Sequence, residues 1–356
     1  MGYAHRTKTR HLGTVKILGQ TGPVTTRASV TAKLALKVRV FFSVDVEIWC
    51  ASWDQLDTCF PDAFRRYTFG PTARGEYGLP RLLDQLNTHG LKGVFFIEPL
   101  FSRRFGIEPL QEIAGLIQSS GQEIQLHLHT EWASEASPPL LPGLTHRRQH
   151  LCHFERDEQT TLIGLGRSLL AEAGVSSINA FRAGSFGIDA NTWRALRDLD
   201  IGFDSSYNGM WMPECSGLGS YGAMHQPRCI DGVWEYPLSL FIDASGRARH
   251  AQLGACSFRE LEWLLWRAAD EQWESVIILA HNFELLNQSK TRPDPIVNDR
   301  FERLCRFLMR NDDVFETMGF HELEPRSLPK PPPPPRSRPD LTAERWMQQA
   351  LRRVYG

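Results

Sequence analysis

Residues 41–49, Phe-Phe-Ser-Val-Asp-Val-Glu-Ile-Trp, form an apolar, aromatic and β-branched run interrupted by two acids, Asp45 and Glu47. Such a run reads as a buried strand. Alternate side chains on a strand share a face, so both carboxylates look into one space. An unpaired charge in a core is very costly. The pair therefore needs a metal ion, another cation, or water in an open site, and the rest of the chain must supply that partner.

Beyond this strand the chain alternates helical and strand patterns. Residues 79–89 are amphipathic and stop at Gly90; 94–97 read as a strand, 109–119 as a helix stopped by Gly121, and 123–129 as a strand. The same rhythm continues through 157–173, 180–182, 189–200, 202–206, 233–240, 257–272, 275–280 and 298–309. Alternation of this kind means a parallel α/β architecture, and 356 residues suit one large domain or two small ones, a range that includes a (β/α) barrel. Residues 50–77 and 211–228 read as loops. The folded body is expected over 37–325, after a basic extension at 1–36 expected to be disordered or non-native. A Pro-rich linker and short helix are expected at 326–356; composition alone favours a frayed tail there.

Charge narrows the function classes. Residues 1–40 hold eight Lys/Arg and no acid, while 41–325 hold 25 basic and 39 acidic residues, a net −14. An acidic body between basic ends is not a nucleic-acid-binding domain. No apolar run approaches the ~20 residues of a membrane span, so an integral membrane protein is not expected. Without a recognisable export signal, a cytoplasmic location is the expectation. The seven cysteines form no C-x-x-C pair, which argues for reduced thiols and against a disulfide framework or thiolate zinc site.

In parallel α/β folds the site lies at the C-terminal ends of the strands. The polar residues there are Asp45 and Glu47; His127 and His129, followed by Glu131; Arg182; Asp204; and His281 with Asn282. Imidazole with carboxylate suits Zn²⁺ or another first-row divalent ion. Recurrence of titratable groups at several strand ends is not the pattern of isolated core histidines.

The order of these motifs resembles the polysaccharide deacetylase superfamily, of the NodB-homology or carbohydrate esterase 4 type. Ser43-Val-Asp45-Val-Glu47 is similar to its Asp-x-Asp/Glu strand, and His89-Gly-Leu-Lys-Gly-Val-Phe-Phe96 to its His-Gly-Ile-Lys-Ala-Thr-Phe-Phe phrase. Gly121-Gln-Glu-Ile124 with His127-Leu-His-Thr-Glu131 parallels Gly-His-Glu-Ile and His-x-x-x-His. Arg182-Ala-Gly-Ser-Phe-Gly187 parallels Arg-x-Pro-Tyr/Phe-Gly. Gly202-Phe-Asp-Ser-Ser206 and Leu279-Ala-His281 complete the set, which covers roughly residues 38–322.

The resemblance implies a distorted (β/α)₇-type barrel and a metal-dependent hydrolase that removes an N-acetyl group from an acetamido sugar. Position by position, Asp45 matches the general base, Arg182 the residue orienting it, and His281 the general acid. Glu47 and His127 match metal ligands. The second histidine of His-x-x-x-His is Glu131 here, so His129 or Glu131 would complete the ligand set, and Gly184 replaces the usual proline. Trp49, Phe186, Trp211 and Asn282 are the expected contacts to a carbohydrate substrate. The alternatives are a metal-independent amide hydrolase on the same barrel and a non-catalytic sugar-binding relative.

Overall fold

The structure is a computed structural model that describes residues 36–326, 328 and 332–355. The basic extension expected at 1–36 falls almost wholly outside the described residues. The main sheet runs, in spatial order, Ser275–His281, Val38–Val46, Gly93–Ile97, Glu123–Leu128, Ala180–Ala183, Phe203–Asp204, Val233–Glu235 and Arg228–Ile230. The pairings are parallel up to Val233–Glu235, and Arg228–Ile230 closes the edge as an antiparallel hairpin. Phe315–Thr317 also pairs with the start of Val38–Val46.

The strand period sorts the side chains into two layers. Val40, Phe42, Val44 and Val46 belong to the large core between sheet and helices. Phe41 faces the other way, into a smaller cluster with Val94, Phe96, Ala180, Phe203, Tyr236, Ile277, Leu279 and Phe320. That cluster fills the inside of the curled sheet. Ser43, Asp45 and Glu47 continue the inward face toward the C-terminal end, so an aromatic plug lies below and the polar residues above it.

The curl is completed by irregular chain between the sheet edges. Ser239 Oγ accepts from Ile277 N at 2.9 Å, Ala251 N donates to Ser239 O at 2.7 Å, and Leu279 N donates to Ala251 O at 2.8 Å. These bonds satisfy edge groups that a regular strand would otherwise pair. They give the expected distorted barrel its irregular side.

Three expectations require correction. Residues 50–77 are not simply a loop, because Leu56–Thr68 is a helix whose Leu56, Phe60 and Ala63 are buried. Pro61 within it hid the helical spacing. The C-terminal tail is not frayed either: Pro339–Tyr355 is a helix. Its Arg345, 1 % exposed, donates to Asp243 Oδ2 at 2.7 Å and Glu260 Oε1 at 2.9 Å. Before it, Ile242 N donates to Pro335 O and Ser337 N to Ile242 O, both at 2.8 Å. Proline lacks an N–H, but its carbonyl still accepts at such an edge. Finally, Cys152 and Cys215 form a disulfide across 63 residues, joining the turns Leu151–His153 and Glu214–Ser216. No local spacing signals a contact so distant in sequence. The other five cysteines are free.

Candidate metal and acid–base site

Adjacent strands bring Asp45, Glu47, His127, His129, Arg182 and His281 to one end of the barrel. Register places Asp45 opposite His281, and His127 opposite Arg182. All but His281 are buried.

Two imidazoles converge on one carboxylate oxygen. His127 Nε2 lies 3.0 Å and His129 Nε2 2.9 Å from Glu47 Oε1. The other ring nitrogens have partners that can only accept. His127 Nδ1 is 2.8 Å from the Arg182 carbonyl, and His129 Nδ1 is 3.3 Å from Glu131 Oε2. Each Nδ1 must therefore carry a hydrogen, and a ring in its neutral form would present its Nε2 lone pair to Glu47. Lone pairs facing a carboxylate oxygen need a cation or a proton between them. The three ligand atoms lie within 4.8 Å of one another, and this N₂O donor set fits a first-row divalent ion.

Ionisation in the protein alone agrees with that reading. Burial favours protonation of Glu47, but attraction from His129 and bonds from both imidazoles outweigh it, holding the carboxyl well below its usual range. Burial opposes charge on His129, yet Glu47 and Glu131 overcome it and raise the imidazole well above its usual value. A proton on His129 thus takes the place that a metal cation would fill.

Supporting groups fix this arrangement. Trp49 Nε1 donates to Glu47 Oε2 at 2.6 Å, leaving Oε1 to the imidazoles, and its ring meets that of His129 edge-on at 4.7 Å. Asn282 is fully buried. Its Oδ1 accepts from Glu47 N at 3.1 Å, and its Nδ2 donates to Glu47 O at 3.1 Å and Tyr67 O at 2.8 Å. The amide thereby extends the ladder beyond the last strand pair and positions the Glu47 backbone.

Two of the residues expected to contact substrate, Asn282 and Trp49, thus bond to Glu47. Asn282 is 0 % exposed, and the Trp49 N–H is committed to Glu47. Trp211 is exposed and lines a cleft of about 480 Å³ with His150, His153 and Cys215. Phe186 is half-buried against the inner cluster, its ring 6.4 Å from that of His250. Of the two residues considered for the third ligand, His129 joins the converging set, whereas Glu131 sits behind it on Nδ1.

Gly184 explains the room for His129. A Cβ on Gly184 would lie 2.6–2.8 Å from three atoms of the His129 ring. The following Ser185 and Phe186 both have positive φ, 50° and 56°, conformations that cost of order 1–3 kcal/mol each for such residues. Gly184 and His129 thus form one packed unit.

On the other side, Arg182 Nη1 donates to Asp45 Oδ1 at 2.6 Å and to Ser43 Oγ at 3.1 Å. Its Nε donates to Ser205 O at 2.8 Å and Nη2 to Ser205 Oγ at 2.9 Å, while the guanidinium lies 4.3 Å over the Phe96 ring. Few rotamers remain to a fork bound at every edge. Burial would discharge His281, but Glu284, whose Oε1 is 3.4 Å from its Nδ1, and then Glu47 and Asp45, push it up to about 9. A protonated imidazole is therefore present at neutral pH beside a carboxylate fixed by arginine.

Asp204, collected with the strand-end acids, belongs elsewhere. It is buried with Glu235, and Trp193 Nε1 donates to both at 3.1 Å. One acid was missed. Glu98, directly after Gly93–Ile97, is 2 % exposed and accepts from Leu100 N at 2.8 Å and Phe101 N at 3.4 Å. Burial raises its carboxyl to about 8 against those bonds. Its position at a strand end was the available signal.

No family model matches the sequence, and no curated protein matches it. Solved structures do. They include polysaccharide deacetylases and carbohydrate esterases of family 4. A Mycobacterium smegmatis protein assigned as a polysaccharide deacetylase is 19 % identical, with 84 % of this chain and 96 % of that one covered, at a TM-score of 0.49. A family 4 carbohydrate esterase from Streptomyces lividans is 10 % identical, with coverages of 79 % and 91 % and a TM-score of 0.38. A CE4 family pseudoenzyme from Bacillus anthracis is 12 % identical, with coverages of 80 % and 65 % and a TM-score of 0.39. The chemistry of the site rests on its own residues. Among the described residues no helix is long and apolar enough to cross a membrane.

Proposed function

We propose that this protein is a metal-dependent hydrolase that removes the N-acetyl group from an acetamido sugar. The observation that carries this reading is the convergence of His127 and His129 on Glu47 directly beside the Asp45–Arg182 pair and His281. Hydrolysis of an amide needs an activated water, a stabilised oxyanion and a proton for the departing nitrogen. A divalent ion held by Glu47, His127 and His129, with Zn²⁺ as first choice, would polarise the carbonyl and acidify water.

The chain's own groups supply the rest. Asp45, oriented by Arg182, accepts the proton of the attacking water. His281 gives a proton to the leaving amine. Glu131 and the Arg182 carbonyl keep the two metal-binding imidazoles in the required tautomer. We place the reaction in the cytoplasm as part of this proposal, on a soluble sugar intermediate or glycan precursor.

Acetate release from N-acetylated oligosaccharides tests the reading, with and without a chelator, in wild type and Asp45→Asn. General acid–base help contributes ~10²–10⁴-fold, so the variant should lose activity by that order while keeping its fold. Chelation should abolish the rate and an added divalent ion should restore it. Equal rates in all arms would sink the proposal; binding of the glycan without turnover would favour the non-catalytic reading.

A further inference from the structure

Next to His281, the chain 282–294 and the C-terminal helix enclose a second cleft of about 640 Å³. Phe283, Glu284, Lys290, Asp294, Arg352 and Arg353 line it. Its acids are already committed. Glu284 accepts from the Gln252 side chain and from Gly254 N, and faces His281. Asp294 caps the following helix through Ile296 N and Val297 N, and accepts from Arg352 Nε at 2.6 Å.

Two of its cations are not so committed. Among the described residues, neither Lys290 nor Arg353 has a carboxylate partner within ion-pair distance. The Lys290 ammonium instead lies over two aromatic faces, 4.7 Å from the Tyr67 centroid and 4.9 Å from that of Phe283. Phe283 in turn meets the His281 ring at 5.4 Å. Lys290 is held there in a left-handed conformation, φ 55°, at a turn closed by its own N–H to Asn287 O at 2.9 Å. Strain in a non-glycine residue persists only where the surroundings enforce it, and it concentrates at ligand clamps. Burial, with the positive charge of Arg66, also lowers Lys290 from its ordinary value; an anion would relieve both effects. Arg353 reaches the same cleft from the C-terminal helix and is exposed.

We propose that this cleft receives an anionic group of the substrate, a phosphate or a carboxylate, through Lys290 and Arg353, so that the acetamido sugar acted on is a charged one. This rests on the deacetylase reading for the site but is tested separately from it. Lysine acts as a point charge on such a group and arginine as a fork. A purely structural role for Lys290, latching its loop onto Tyr67 and Phe283, would affect charged and neutral sugars alike.

The test is direct binding to the full chain by titration calorimetry, at two ionic strengths. The ligands are N-acetylglucosamine 1-phosphate, an N-acetylglucosamine–glucuronate disaccharide, and the uncharged methyl glycoside of N-acetylglucosamine. Wild type should bind one or both anionic sugars about tenfold more tightly than the neutral one, as expected for charge-assisted contacts, and less so at high salt. The phosphate and uronate arms identify the anion. Lys290→Arg should retain the preference, and Lys290→Gln with Arg353→Gln should bring the three sugars within about twofold of each other. Arg353→Gln, at an exposed position, keeps the test open if Lys290→Gln does not fold. Equal affinity of wild type for all three sugars, or a preference that survives in the double variant, would overturn the inference. Asp45→Asn should lose acetate release with the preference intact. Absence of acetate release in wild type, alongside an intact preference, would overturn the deacetylase reading and leave the anion cleft standing.

Discussion

At the residue scale, the site depends on which nitrogen of each histidine is free. Glu131 and the Arg182 carbonyl occupy the Nδ1 atoms, so a metal ion and a proton would compete for the same Nε2 atoms. Because Glu47 raises His129, divalent-ion affinity should fall as pH falls and each bound ion should displace protons; isotherms at several pH values with proton release measured would show it. Gly184 should be equally decisive. Gly184→Ala would push a Cβ into the His129 ring and weaken ion binding by roughly 10–100-fold, the size of effect seen when supporting contacts to a ligand are lost. An unchanged isotherm would refute the coupling. The sequence shows each of these residues but not their contact. His129 and Gly184 are 55 positions apart, and whether His129 or Glu131 points inward depends on the space Gly184 leaves.

At the element scale, the two-residue period of the strands assigns nearly every side chain to the aromatic plug, the polar site or the helix-facing core. What the period does not reach is the chain beyond a strand's end. There Asn282 serves as a substitute peptide for Glu47. Asn282→Ala should slow turnover and loosen ion binding while sparing substrate contacts, and a variant with normal turnover would contradict its positioning role. The C-terminal helix depends on one residue in a similar way. Removing Arg345 leaves Glu260 buried without its cation and Asp243 with Arg249 alone. Breaking a buried pair by deleting one partner costs about 3–5 kcal/mol, so Arg345→Met should lower the melting temperature and expose the helix to proteolysis. Composition misled at this point because a Pro-rich approach and an Arg-rich helix resemble a solvated tail, whereas docking depends on acids located about a hundred residues earlier.

At the scale of the whole molecule, Asp243 links the C-terminal helix to acid stability. Burial opposes its charge, but bonds from Ser245, the Arg247 backbone and Arg249 hold its carboxyl at about 2. Its folded value is thus depressed below the unfolded one, roughly 4. The stabilisation is complete above the unfolded value and is lost as pH falls toward 2. Denaturant midpoints measured between neutral pH and acid should show a loss in wild type that Asp243→Asn largely lacks. Molecular scale also set the limits of reading the chain in order. Hydrophobic period, glycine stops and the succession of strand-end acids, histidines and arginine determined a parallel α/β fold with a polar end, because these are local patterns repeated along the chain. Only the tertiary structure decided which of those polar groups converge, which cysteines meet, that Asp204 turns toward Trp193, and that the last helix returns to wall a cleft beside His281. Those outcomes depend on packing and hydrogen-bond partners brought together from distant positions, and no local period encodes them.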